Sequence, residues 1–483
     1  VRKAYFVPAN RTLGRYLPAD AVQRVEVPAA PPLDARLAQL KGPPKVEEGE
    51  QLEPIPSVLE SRTVRTKLPS GIELHTLRKQ KRGNSVQVQI QAQWGDRDTT
   101  YKRLGTGMVG QLLNEGTAQI SKQQVQDAFI KLRAGFGVSS GDQGVTVNLT
   151  AERDTLLPAL ALVATLMREP SLPQEAFDRL LKAGIAGMEA SRKEPETLRQ
   201  EAVRGHYNQA RGLSLGHPDY WMGLDERLAQ QQRMTLADVR GFHADYWSAN
   251  KLRVTAVGAL PEQLDAAVEQ FFGNWKKPAA PAFVRHIPQF KEVPAARFDA
   301  IARDKPNAIV HFEQQLALSE PDPDAIPLRV AVHIFGGGGL ESRLNERLRQ
   351  KEGLTYCSNA WLNVGHWGNA ASVGLYATYA PDKRARVIEV LQEEIKRMTE
   401  AGITAAELAR AKKDIAEGRR QSRADLGALA GALQSLAEQG ETWAQSQQRD
   451  EALASLTVEQ VNAAWRKHVR PEAFVISTAG DFK

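Results

Sequence analysis

Two stretches of this chain, 235–258 and 457–480, align without a gap at an offset of 222 residues: TLADVRGFHADYWSANKLRVTAVG against TVEQVNAAWRKHVRPEAFVISTAG. Thr, Val, Ala and Gly recur at matching places, and in both a helical pattern leads into a short apolar run that reads as a strand. A repeat unit of that length is a whole domain. The 483 residues therefore read as two copies of one α+β domain. The first copy spans 62–275, a linker containing KKPAAPAF spans 276–297, and the second copy spans 298–483. Residues 1–61 read as a strand followed by an extended Pro- and Glu-rich linker with one short helix near 33–40. The opening VRKAYFV matches VRPEAFV (469–475) at four of seven places, as though the chain began with the closing strand of a further domain.

Within the first copy, VRTKLPSGIELHTLRK reads as a hairpin around Pro-Ser-Gly, and SVQVQIQAQWG as a strand with one apolar face. Helical patterns follow at 103–115, 122–133, 152–168, 173–192 and 196–210, with the strand GVTVNLTAER between the second and third. Hydrophobic residues at 42% are ample for two cores. The net charge of +6 (63 basic minus 57 acidic residues) is spread along the chain without a basic block, which argues against a nucleic-acid binder. The one cysteine, Cys357, excludes an internal disulfide and a thiolate metal cage. No run is long and apolar enough to span a membrane, and the opening residues have no apolar signal core, so the chain is cytoplasmic or begins after processing.

The densest chemistry lies at 336–356, GGGGLESRLNERLRQKEGLTY. Four glycines lead into a short helical segment with Leu340, Leu344 and Leu348 on one face. Gly353 follows as the residue just past the helix end, where a left-handed conformation costs little, and LTYCSNAWL then reads as a strand. A reversal at Gly353 would bring Arg349, in the last helical turn, toward Tyr356 at the strand's start. A guanidinium and a phenol converging there would clamp a carbonyl or a developing oxyanion. The bland reading is an arginine complementing a helix dipole beside a packing tyrosine. A phosphate loop is disfavoured, because GGGGLESR lacks the Lys-Ser/Thr that such a loop requires.

The 222-residue duplication, NEGT (114–117) and the glycine–Arg–Tyr segment together resemble the pitrilysin-type inverzincin family, which includes insulin-degrading enzyme and the mitochondrial processing peptidase. ANRTLGRYLP (9–18) also resembles the linker of long bacterial members. The resemblance implies two tandem homologous domains, each a mainly antiparallel sheet with helices packed on one face. It implies zinc held by a His-x-x-Glu-His helix and a distal Glu, with the intervening Glu activating water. Counting back from Gly116, those five positions fall on Gly107, Met108, Val109, Gly110 and Gln111, none of which can serve. The distal Glu falls near Gly187; Glu189 is two residues away, a turn of about 200° on a helix. No two of the nine histidines lie within five residues of each other, so no helical pair could chelate a metal, and His333 beside the glycine loop is the one to follow.

What the resemblance retains is the second half's contribution. Arg349 and Tyr356 are expected to hold the scissile carbonyl, with Gly336, Gly337, Gly338 and Gly339 lining the peptide path. GVTVNLTAER is a further candidate edge for a peptide adding as a strand. Zinc is expected in a partner half, either a separate subunit or the N-terminal half of the same precursor, and not in this chain. The location implied is the periplasm. The competing expectation is an inert scaffold or peptide-binding module of the same fold.

Overall fold

A computed structural model describes residues 49, 50 and 52–482, all within one compact unit, Glu47–Lys483. The opening strand at 1–7, the helix at 33–40 and most of the proline-rich linker expected above lie outside the described residues.

The first sheet contains β1 (Thr63–Lys67), β2 (Glu73–Arg78), β3 (Ser85–Gln93), β4 (Gly135–Ser140), β5 (Gly144–Glu152) and β6 (Leu252–Gly258), in the order β1-β2-β6-β3-β5-β4. The second contains β7 (Ala296–Ile301), β8 (Ala308–Ala317), β9 (Thr355–Asn363), β10 (Ala370–Tyr379) and β11 (Val475–Gly480), in the order β7-β11-β8-β10-β9. Apart from the extra β1, the two orders are the same. Each sheet has a single parallel pairing, β2 with β6 and β7 with β11.

The α-helices of at least five residues are α1 (Pro56–Arg62), α2 (Met108–Leu112), α3 (Lys122–Lys131), α4 (Leu156–Arg168), α5 (Gln174–Ser191), α6 (Pro195–Arg211), α7 (Leu224–Arg233), α8 (Leu236–Tyr246) and α9 (Leu264–Phe272) in the first half. In the second half they are α10 (Ala325–Val332), α11 (Arg384–Ala401), α12 (Ala405–Ala424), α13 (Leu426–Gln439), α14 (Trp443–Ser455) and α15 (Val458–His468). The molecule is thus two tandem α+β domains. The repeat offset is the structural register: 236 + 222 and 246 + 222 give 458 and 468, the bounds of α15. Both helices start the same way. Thr235 and Thr457 each accept from the backbone N–H three residues on, while Asp238 and Gln460 reach back to the cap, satisfying donors that would otherwise be orphaned.

Alternation along the strands builds the layers. In β3, Val86, Val88, Ile90 and Ala92 are fully buried in the first core, while Gln87, Gln89, Gln91 and Gln93 point to the opposite face. In β8, Val310, Phe312 and Leu316 enter the second core. The polar face of each sheet receives one helix from the other half. α13 lies on β6 and β3, where Gln434 Oε1 accepts from the Thr255 hydroxyl and Gln434 Nε2 donates to Gln91 Oε1 at 2.7 Å. α6 lies on β7 and β11, where Arg199 Nη1 donates to Ser477 Oγ at 3.0 Å.

Three expectations are corrected. GVTVNLTAER forms β5, which is hydrogen-bonded on both sides and offers no free edge; the edge on that side of the sheet belongs to β4, a strand not foreseen. The pattern at 103–115 resolves into α2 and a 3-10 turn at Leu113–Glu115. Leu340 is 57% exposed and off the face of Leu344 and Leu348, because Ser342 is extended and interrupts the helix.

Candidate functional site

Helix α10 does not end cleanly. It widens into a π turn (His333–Gly337), then a 3-10 turn (Gly339–Glu341), a single α turn (Arg343–Asn345) and a second π segment (Glu346–Lys351). Gly336 is buried against β9, where an added Cβ would lie 2.6 Å from Ala360 Cβ and 2.8 Å from both Ala360 N and Leu344 Cδ1. At Gly338 it would meet His333 O at 3.0 Å, and Gly339 has φ +68. Packing and backbone conformation thus account for three of the four glycines; Gly337 is exposed.

Two polar side chains that sequence reasoning missed secure this loop. Asn345, 5% exposed, donates through Nδ2 to Gly339 O at 2.9 Å and Ser358 O at 3.1 Å, tying the glycine loop to β9. Arg343, 7% exposed, forks onto Glu407 at 2.6 and 2.8 Å and donates to Gly402 O at 2.8 Å. Burial pushes the Glu407 carboxyl up, but the hydrogen bonds from Arg343 and from Thr404 prevail and hold it at about 2. The signal for Asn345 was its spacing: a polar residue three before Leu348 shares that leucine's buried face.

Arg349 and Tyr356 flank the reversal. Gly353 adopts φ +61, as the reading required, and Leu354 N donates to Leu348 O at 2.7 Å. Arg347 pairs with Glu352 and Glu393, Lys351 with Glu346, and Arg343 with Glu407. Arg349 is exposed and has neither a hydrogen bond nor an ion pair among the described residues. Tyr356 is 77% exposed. Opposite β10, Thr355 pairs with Tyr379 and Cys357 with Thr378, so Tyr356 is the extra residue of a β-bulge on the edge strand of its sheet. A bulge twists its strand locally and re-aims the side chain it carries.

Behind Tyr356, one face of β8, β10 and β9 carries a ring cluster. His311 stacks on Tyr376 with centroids 5.6 Å apart, Trp361 lies 5.7 Å from His311, and Cys357 Sγ is 3.4 Å from the Tyr376 hydroxyl. Burial, with the nearby Arg199 charge, pushes the His311 imidazole down to about 4.

The positions aligned with a zinc helix are otherwise occupied. Met108, Val109 and Gly110 are buried, Gly110 against Ser140 of β4. Glu189, on α5, is half exposed and pairs with Arg192 at 2.9 Å, which in turn reaches Asp225 at 2.8 Å. His333 is half-buried, and burial lowers its pKa against the pull of Asp414. Among the described residues no group of three or more His, Cys, Asp or Glu side chains is placed to hold a metal.

Residues 233–415 match the family model described as the peptidase M16 inactive domain, a span that takes in α8, the linker and the whole of 336–356. The matched span is 183 of the 483 residues. The chain resembles the non-zinc-binding half of such peptidases. It is 21% identical over 307 residues to the non-peptidase homolog YmxG of Helicobacter pylori, covering 63% of this chain and 68% of that one. It is 26% identical over 258 residues to an uncharacterized zinc protease of Streptomyces coelicolor, covering 51% of this chain and 54% of that one. Among solved structures, the peptidase M16 inactive domain from Pseudomonas fluorescens superposes with TM-score 0.72 at 21% identity, covering 87% of this chain and 98% of that one. The periplasmic protease PqqL from Escherichia coli superposes with TM-score 0.68 at 14% identity, covering 95% of this chain but 49% of PqqL. The chain therefore spans about half the length of PqqL and of the Streptomyces relative.

Proposed function

We propose that this chain is the substrate-holding half of a periplasmic M16-type zinc metallopeptidase and that it acts on peptides only beside a zinc-bearing half. The observation that carries the proposal is an exposed Arg349 with no side-chain partner among the described residues and an exposed Tyr356 raised on a bulge, on either side of a left-handed glycine. In a closed complex the guanidinium and the phenol would donate to the scissile carbonyl oxygen as negative charge grows on it. Bound in the partner half, zinc would supply the activated water. Gly337 and the open edge of β9 would leave room for an extended peptide. The periplasmic location is supported by the likeness to PqqL, a periplasmic protease.

The partner is a separate His-x-x-Glu-His subunit or the N-terminal half of one precursor. Mixing this chain with such a half should restore cleavage that neither shows alone. Arg349→Ala and Tyr356→Phe should each lower the mixture's rate about 10²–10³-fold, the usual loss for one oxyanion donor. Folding should be untouched, because both side chains are exposed. The description of the Helicobacter relative as a non-peptidase homolog favours a second reading, an inert scaffold of the same fold. Full activity of the Arg349→Ala mixture would establish that reading and end ours.

A further inference from the structure

Between α10, α12 and α14 lies a cleft of about 540 Å³, away from the Arg349–Tyr356 pair and independent of the peptidase reading. Its walls carry Arg329, Arg419, Arg423 and Arg449 against the carboxylates of Glu320, Asp450 and, paired with Arg449, Glu441, four positive charges minus three negative, an excess of one. The compensation is uneven. Arg419 Nη1 and Arg423 Nη1 donate to the single carboxylate of Asp450, at 2.9 and 2.6 Å. Arg449 spends its charge on Glu441 at 2.8 Å. Arg329, exposed in the last turn of α10, has no hydrogen bond or ion pair among the described residues. Burial lowers the Arg419 pKa, and the charges of Arg423 and Arg329 push it the same way while Asp450 opposes them. Guanidiniums gathered around too few carboxylates repel one another, and an incoming dianion would relieve them.

The rest of the lining defines what such an anion could carry. Arg423 Nη2 donates to the Ser446 hydroxyl at 2.9 Å, and Ser422 adds a second hydroxyl to the wall. Ile326 and Ile415 supply an apolar side. Gly418 lines the cleft from the middle of α12, and a Cβ there would have nothing within 4 Å, so the space above it is open.

We propose that this cleft binds a phosphate monoester. The head group, carrying about −1.5 to −2 at neutral pH, sits among Arg329, Arg419 and Arg423. Its organic part lies against Ile326 and Ile415. Arginine forks suit tetrahedral oxyanions, and the net positive lining favours an anion over a neutral ligand.

The test is calorimetric titration of the full chain with phenyl phosphate, inorganic phosphate and succinate at low salt. One-to-one binding of phenyl phosphate is expected, tighter than either of the others and weakened by added sodium chloride. Arg329→Gln, at an exposed and unpaired position, should weaken it about tenfold, and Gly418→Leu should remove the advantage of phenyl phosphate over inorganic phosphate. Three results would overturn the proposal: no saturable binding of either phosphate, succinate binding as tightly as phenyl phosphate, or affinities unchanged in both variants. Inorganic phosphate binding as well as the monoester would reduce the site to one for free phosphate and refute the apolar contact.

Discussion

Replacing Gly336 by alanine asks whether the glycine run exists for the peptide or for the fold. The new Cβ would sit 2.6 Å from Ala360 Cβ and 2.8 Å from Ala360 N and Leu344 Cδ1. Ala360 belongs to β9, where it lies opposite Leu375 of β10, so its backbone cannot retreat without disturbing the sheet. Overpacking of this kind costs about 1–3 kcal/mol. For a domain of about 150–250 residues each kcal/mol lowers the melting temperature by about 2–4 °C, so the second half should lose several degrees. Gly339→Ala meets no neighbour but keeps φ +68, and should cost about 1 kcal/mol. Gly337→Ala would bring its Cβ to 3.3 Å from Ala360 O, a milder crowding, and should cost less than Gly336→Ala. Thermal melts of the three variants give the ranking, and a double-mutant cycle with Ala360→Gly tests its cause. Removing the Ala360 methyl should recover part of the Gly336→Ala loss. A Gly336→Ala protein as stable as the parent, or one with no coupling to position 360, would refute the packing argument.

Two further predictions concern pH. Glu407 is held at about 2 in the folded protein against an ordinary 4.5, so its contribution is complete above about pH 4.5 and is lost as pH falls toward 2. Glu407→Gln should cost about 3–5 kcal/mol at neutral pH, because it strands the buried Arg343, and should flatten the acid limb of a stability profile measured in urea. Burial pushes the imidazoles of His75 and His243 down to about 4 from 6.5, so the folded state disfavours their protonation. Stability tied to these rings is therefore fully present above pH 6.5 and falls as pH drops from there toward 4. Their imidazole NMR resonances should remain those of neutral rings at pH 5.5.

The fold was legible where its information is local or repeated. The 222-residue offset carried over directly into the sheets: 85 and 93 plus 222 give 307 and 315, against Ala308–Ala317 for β8. Gly353 was legible because a chain reversing between a helical turn and a strand calls for a residue that tolerates positive φ. β4 was not, since GFGVSS alternates glycine with larger residues and is a strand only because β5 pairs with it. The four-residue leucine spacing misled at Leu340, because side-chain periodicity does not register a backbone break at Ser342. At the candidate site the types and order of Arg349 and Tyr356 could be read directly. The bulge beneath Tyr356 depends on how Tyr379 and Thr378 meet β9, a register no single strand encodes. The placement of α6 and α13 on each other's sheets had no local signature at all.

That placement has a practical consequence for anyone dividing the chain. A protease cut or a stop codon between residues 276 and 297 would yield an amino-terminal fragment whose β6 has lost Leu429 and Leu433 of α13. The carboxy-terminal fragment would in turn miss Val203 and Tyr207, which cover Val475 and Val293. Each fragment would hold the missing roof of the other, and the pair should be soluble only when expressed together, as a heterodimer made from one gene.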